Sequence, residues 1–173
     1  VMAADDRLVF LARSREDCNP PRGFDPQSAT QVRQSVRPAP VLRKRRVLIL
    51  GWNHKASDLL AEFDRYVHEH FDIDVLSLTP ISDREMDQTR KNVQLSRISL
   101  THMEGDLTSL ADLTAVHPER YDNVVLLGSD RLETGEESDA RTIVGHMVLA
   151  DVLRNEKSAP GILLELMDTE NLL

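Results

Sequence analysis

The 173-residue chain has one cysteine, Cys18, which excludes an internal disulfide and a thiolate metal cage and suits a reducing setting. It also lacks any apolar run approaching the ~20 residues that a membrane-spanning helix requires. Positive charge is in deficit. With 21 Lys plus Arg against 29 Asp plus Glu, the net charge is -8, and a nucleic acid is not an expected partner, because such binding rests on cations that displace counterions. The 6 histidines show no H-x-x-x-H or H-E-x-x-H zinc spacing, and no serine lies in a G-x-S-x-G elbow, so no hydrolytic centre is legible. A basic leader is missing as well: the chain opens Val-Met-Ala-Ala-Asp-Asp-Arg, which reads as a piece of a longer polypeptide.

What is present is a globular composition, 40% hydrophobic and 29% charged, in a chain long enough for one domain with an appendage. Residues 1–13 hold a short apolar run, Arg7 to Arg13, consistent with a single strand that has no sequence neighbour to pair with. Residues 14–45 read as a linker, broken by Pro20, Pro21, Pro26, Pro38 and Pro40, and running into the basic knot Arg43 to Arg46, expected as a solvated flank of the next strand.

From residue 46 to residue 173 short aliphatic strands alternate with helical patterns. Val47 to Leu50, Asp74 to Thr79, Ile98 to Met103, Asn123 to Leu127 and Gly161 to Glu165 are the expected strands. Between the first two, Ala56, Leu59, Leu60, Phe63 and Val67 share one helix face. Ser82 to Glu85 has the pattern of a capping box, with its helix reaching about Lys91, and a small helix is expected around Ser109 to Val116. A last helix from about Ala140 to Arg154 carries a broad apolar surface (Ile143, Val144, Met147, Val148, Val152) that implies deep burial. Nearly continuous aliphatic strands separated by helices predict an α/β fold: a Rossmann-like, doubly wound parallel sheet with both faces covered, cut short at its C-terminal end.

In such a sheet ligands collect beyond the carboxyl ends of the strands, which directs attention to Gly51, Trp52, Asn53, His54, Thr79, Gly105, Asp106, Gly128, Ser129 and Asp130. The dinucleotide fingerprint needs a turn glycine, a second glycine for pyrophosphate approach and a Gly or Ala for helix packing; here these positions are Gly51, Asn53 and Ala56. Asn tolerates left-handed dihedrals, but its side chain and that of Trp52 are expected to fill space that a pyrophosphate needs. The ribose-gripping carboxylate is missing too, since Thr79-Pro80 stands at the end of the second strand and Asp72 and Asp74 precede it. A second group of acids, Glu133, Glu136, Glu137 and Asp139, joins Asp106 and Asp130 as hard oxygen donors of the kind calcium prefers, without EF-hand spacing.

Val47-Leu-Ile-Leu-Gly-Trp52, Glu104-Gly-Asp106, and Leu126-Leu-Gly-Ser-Asp130 followed by acids and Asp139-Ala-Arg141 resemble the cytosolic RCK (regulator of potassium conductance, TrkA-N-like) domains of Castor and Pollux ion channels. The early strand and Pro-rich linker resemble that family's junction between one lobe and the next. The resemblance implies a non-enzymatic gating module: homo-oligomeric RCK lobes form a ring on the cytoplasmic face of a membrane, below a pore domain, and ligand binding alters the ring. It further implies a turn formed by Gly51, Trp52 and Asn53, strand-end acids Asp106 and Asp130, and an acidic loop from Glu133 to Asp139. Calcium is favoured over NAD or ATP as the ligand. The alternative is a soluble NAD(P)-binding oxidoreductase domain with a degenerate fingerprint.

Overall fold

The computed structural model describes residues 43–156 and 158–167. The early strand and most of the linker therefore lie outside the described residues. Five strands form one sheet in the order β3-β2-β1-β4-β5, every neighbouring pair parallel. They are β1 (Arg43–Leu50), β2 (Glu69–Ser77), β3 (Ser99–Glu104), β4 (Asn123–Leu126) and β5 (Gly161–Leu164). Helices α1 (Ala56–Arg65), α2 (Ile81–Arg90), α3 (Leu110–Ala115) and α4 (Gly135–Leu153) make the crossovers, and a 3-10 turn at Pro118–Arg120 precedes β4. The Rossmann-like fold expected from the aliphatic strands is the one found.

Two cores follow from the period-2 alternation of β1. Val47 and Ile49 point with Ile73 and Val75 toward Ala56 and Leu60 of α1. Leu48 and Leu50 point the other way, with Val124 and Leu126, toward Leu113 of α3 and Leu149 and Leu153 of α4. Leu48, Ile49 and Leu50 are fully buried, each stabilising the sheet by about 1.5–3 kcal/mol relative to an exposed side chain.

Several boundaries differ from the sequence expectation. The basic knot is not a flank but the first half of β1, because it meets the acidic first half of β2: Lys44 pairs with Asp72 at 2.6 Å, Arg45 with Glu69 at 2.7 Å and Arg46 with Asp74 at 3.8 Å. Arg46 also lies 4.7 Å over the ring of Tyr121, whose hydroxyl donates to Asp74 at 2.7 Å. Asp72 and Asp74 thus lie within a strand. Helix α1 stops at Arg65, leaving Val67 half exposed. The capping box at Ser82 does not form: Pro80 is the N-cap residue, and the Ile81 N–H donates to Glu104 of β3 at 3.0 Å instead. Helix α4 begins at Gly135, with Thr134 accepting from the Glu137 N–H, since acids in a first turn favour a helix. Its buried side is Ser138, Thr142, Gly145, Leu149 and Leu153, so Ile143, Val144 and Met147, expected in the core, are exposed. Gly145 permits this packing: a Cβ there would lie 2.0 Å from Leu107 Cδ1.

Candidate functional site

The strand order reverses between β1 and β4, so the crevice lies beyond Leu50 and Leu126. Gly51 makes the turn with φ of 99° and donates its N–H to the Leu76 carbonyl at 2.8 Å. A Cβ at Gly51 would lie 2.4 Å from the carbonyl oxygen of Leu127, so backbone closeness and dihedral both require glycine.

The next three residues depart from the expected obstruction. Trp52 lines the crevice but is itself buried. Its ring is 2% exposed, packed edge-on to His102 at 5.7 Å, with its indole N–H on Asp87 of α2 at 3.1 Å. Asn53 does not use a left-handed φ. Its side chain is 1% exposed; the amide donates to the Gly128 carbonyl at 2.9 Å and to Glu165 at 2.7 Å, while its oxygen accepts from the Lys55 N–H at 2.9 Å. The His54 N–H donates to Asp130 at 2.7 Å, and the His54 ring lies 3.0 Å from the same oxygen. Lys55 binds Glu165 at 2.7 Å, and Lys91 donates to the His54 carbonyl.

The helix N-terminus that would hold a phosphate therefore already holds oxygens of the chain itself. A diphosphate arriving here meets two carboxylates, Asp130 and Glu165, and finds the His54 and Lys55 N–H groups engaged. Ser77, Leu78 and Thr79 close the second strand, with Thr79 buried and its N–H on Ser77 Oγ at 3.1 Å, and no acid among them to grip a ribose. The crevice cavity, lined by Gly51, Leu78, Thr79, Leu107, Leu127 and Arg141, is about 230 Å³, below the ~300–1,000 Å³ of pockets that bury a drug-sized ligand.

The remaining strand-end residues serve local structure. Gly105 donates its N–H to the Ser77 carbonyl at 3.2 Å. Asp106 accepts from the Thr108 N–H and hydroxyl, both at 2.8 Å, and from Arg141 at 2.6 Å. Burial alone would raise its pKa; the Thr108 hydrogen bonds and the Arg141 charge outweigh that and hold it below the ordinary carboxylate value. Ser129 donates its N–H to Ser138 at 2.8 Å.

The proposed metal ligands do not converge. Asp106 is tied to Arg141 and Asp130 to His54. Glu133, Glu136 and Glu137 are exposed, the last two in the first turn of α4. Asp139 is buried and accepts from the Met167 N–H at 2.6 Å. Among the described residues there is no group of three or more His, Cys, Asp or Glu side chains placed to hold a metal ion. The continuous acidic loop is instead divided between a loop and a helix whose residues point around its axis.

Beside this crevice α2 carries a buried polar cluster that the sequence reading missed. Arg84 is fully buried, donating to the carbonyls of Val75 at 3.3 Å and Met103 at 2.9 Å, with its Nε unpartnered. His102 lies 3.3 Å from Arg84 and 3.1 Å from Gln88; burial, then the Arg84 charge, lower its pKa. Glu165 was also missed, although an acid closing an expected strand at the carboxyl edge was a signal that could have found it.

No protein-family model matches the chain. It is 22% identical over 111 residues to the probable ion channel CASTOR of Oryza sativa subsp. japonica, a match covering 62% of this chain and 12% of that protein. Among solved structures, the human SLO3 gating ring superposes with a TM-score of 0.50 at 14% identity, over 74% of this chain and 20% of that one, a likeness of fold. A nucleoside-diphosphate-sugar epimerase from Agrobacterium tumefaciens superposes at 0.49 with 11% identity, over 74% of this chain and 39% of that one. The chain thus spans a small fraction of these relatives. Among the described residues no helix is long and apolar enough to cross a membrane. In sequence the chain is similar to a Castor-type ion channel, and its Rossmann-like fold is that of a lobe of the SLO3 gating ring.

Proposed function

We propose that this lobe is a non-enzymatic regulatory module of a Castor-like cation channel, acting within a ring of RCK lobes on the cytoplasmic face of the membrane. The observation that carries the reading is the β1–α1 turn, where Asp130 accepts the His54 N–H and Glu165 pairs with Lys55. A hydride carrier would have to displace these carboxylates, whereas a lobe that works by shape need not. The exposed apolar stripe of α4, Ile143, Val144 and Met147, supports assembly with further lobes. Ligand action then follows from differential affinity for two arrangements of the ring.

The described residues of one lobe assemble no complete cation site, so calcium enters the proposal as the ligand to test first, ahead of NAD and ATP, and no step is routed through it. Calorimetric titration of the chain with calcium, NAD and ATP, repeated with Asp106→Asn and Asp130→Asn, is the test. Calcium heat lost in these variants supports an acid-lined sensor; saturable NAD heat in the parent chain contradicts the regulatory reading and favours the oxidoreductase alternative.

A further inference from the structure

At the start of α1 the exits of three strands meet, joined by side chains rather than by the sheet ladder. From the β4 exit, Gly128 accepts from the Asn53 amide and Asp130 accepts from the His54 N–H. From the β5 exit, Glu165 takes one oxygen to the Asn53 amide at 2.7 Å and the other to Lys55 Nζ at 2.7 Å. Two residues on, the Met167 N–H is held by Asp139 of α4 at 2.6 Å. The chain leaving β5 is therefore gripped by the β1–α1 turn on one side and by α4 on the other.

We infer that this turn is an internal clasp: the carboxylates of Asp130 and Glu165 fasten the exits of β4 and β5 to the start of α1, so that displacement of the turn is carried into the chain leaving β5. Because both carboxylates are tethered, the clasp closes at an effective concentration set by the fold and needs no ligand. Asn53 is its pivot, since a side chain 1% exposed has no water to exchange for either partner. Three features of the turn then have one cause. A glycine at residue 53 would remove the pivot; Lys55, at the positive end of the helix dipole, is offset by Glu165; and His54 presents its N–H to Asp130 instead of to a phosphate. The inference rests on the reading that no nucleotide occupies the turn, but it does not depend on ring assembly or on a channel.

Hydrogen exchange by NMR on the 173-residue chain tests it. Glu165→Ala removes both contacts of the β5 exit. The amides of residues 165 and 167 are expected to exchange about tenfold faster or more, with those of Leu48 and Ile49 unchanged. Lys55→Met cuts the same contact from a side chain that is 57% exposed, so the lobe tolerates it if Glu165→Ala does not fold; about threefold faster exchange at the same two amides is expected. Exchange at residue 167 within experimental error of the parent in both variants overturns the clasp. So does acceleration spread evenly over the sheet, which marks general destabilisation. Saturable NADH binding would sink the functional reading, whereas the exchange rates measured without nucleotide decide the clasp, so the two failures are distinguishable.

Discussion

Replacement of Gly51 by alanine perturbs the residue on which the whole turn depends. At φ of 99° an L-residue is strained, at a cost of about 1–3 kcal/mol. The added Cβ would lie 2.4 Å from the Leu127 carbonyl oxygen, which is backbone and therefore cannot rotate aside; overpacking of this kind costs another ~1–3 kcal/mol. The neighbouring ladder is short of slack, because the Leu127 N–H is bonded to the Leu50 carbonyl at 2.8 Å and the Gly51 N–H to that of Leu76 at 2.8 Å. The two costs fall on the same backbone and partly relieve one another, which gives about 2–5 kcal/mol, or roughly 5–20 °C in melting temperature for a domain of this size. Thermal unfolding followed by circular dichroism measures it. Gly161→Ala is the control: the added Cβ meets the flexible amide of Asn123 at 2.7 Å, and the φ is not left-handed, so the cost stays near ~1 kcal/mol. A Gly51→Ala variant melting within experimental error of the parent, or of Gly161→Ala, would refute the account of the turn.

Asp64 is buried and accepts the N–H groups of Ser96, Arg97 and Ile98 at 2.8, 2.6 and 3.1 Å; burial alone would raise its pKa, and these bonds outweigh burial and lower it. Asp106 is lowered as well, so both contribute stability that is fully present above the unfolded carboxylate value of about 3.9 and is lost as pH falls below it through their own lowered pKa. Asp64→Asn should therefore lower stability at neutral pH by about 1–3 kcal/mol and flatten the acid limb of an unfolding profile; an unaltered acid limb contradicts this. Arg84→Met removes the positive neighbour of His102, so the His102 midpoint should rise in an NMR titration, and an unmoved midpoint would show that the Arg84 charge does not reach it. Tyr121→Phe loses the hydrogen bond to Asp74, which should cost about 1 kcal/mol in denaturant unfolding; no loss would mean that the hydroxyl is equally well served by water.

The sheet was legible because buried parallel strands must be aliphatic on both faces, and Val47 to Leu50 and Asn123 to Leu127 satisfy that without help from other parts of the chain. What was not legible depended on partners far away. The strand character of Arg43 to Arg46 comes from acids on β2, and the start of α2 is set by Glu104 on β3. The start of α4 is a different case: the acids of its first turn were read as a loop, although their preference for a helix N-terminus was readable locally. In the site, Gly51 was identifiable from the spacing of the fingerprint, and the departure at Asn53 was visible. The reason for the departure was not, because Asp130 and Glu165 lie 76 and 112 residues from the groups they bind. Trp52 was assigned the blocking role on size alone; the hydrogen bond of its indole to Asp87 of α2 depends on a partner 35 residues away.

The account's central claim is that this Rossmann turn is filled by the chain's own carboxylates. It is tested most directly by titrating the 173-residue chain with NADH while following the His54 and Lys55 amides by NMR. The account predicts that both resonances stay in place at millimolar NADH. Saturable movement of both amides, with quenching of the buried Trp52, would contradict it.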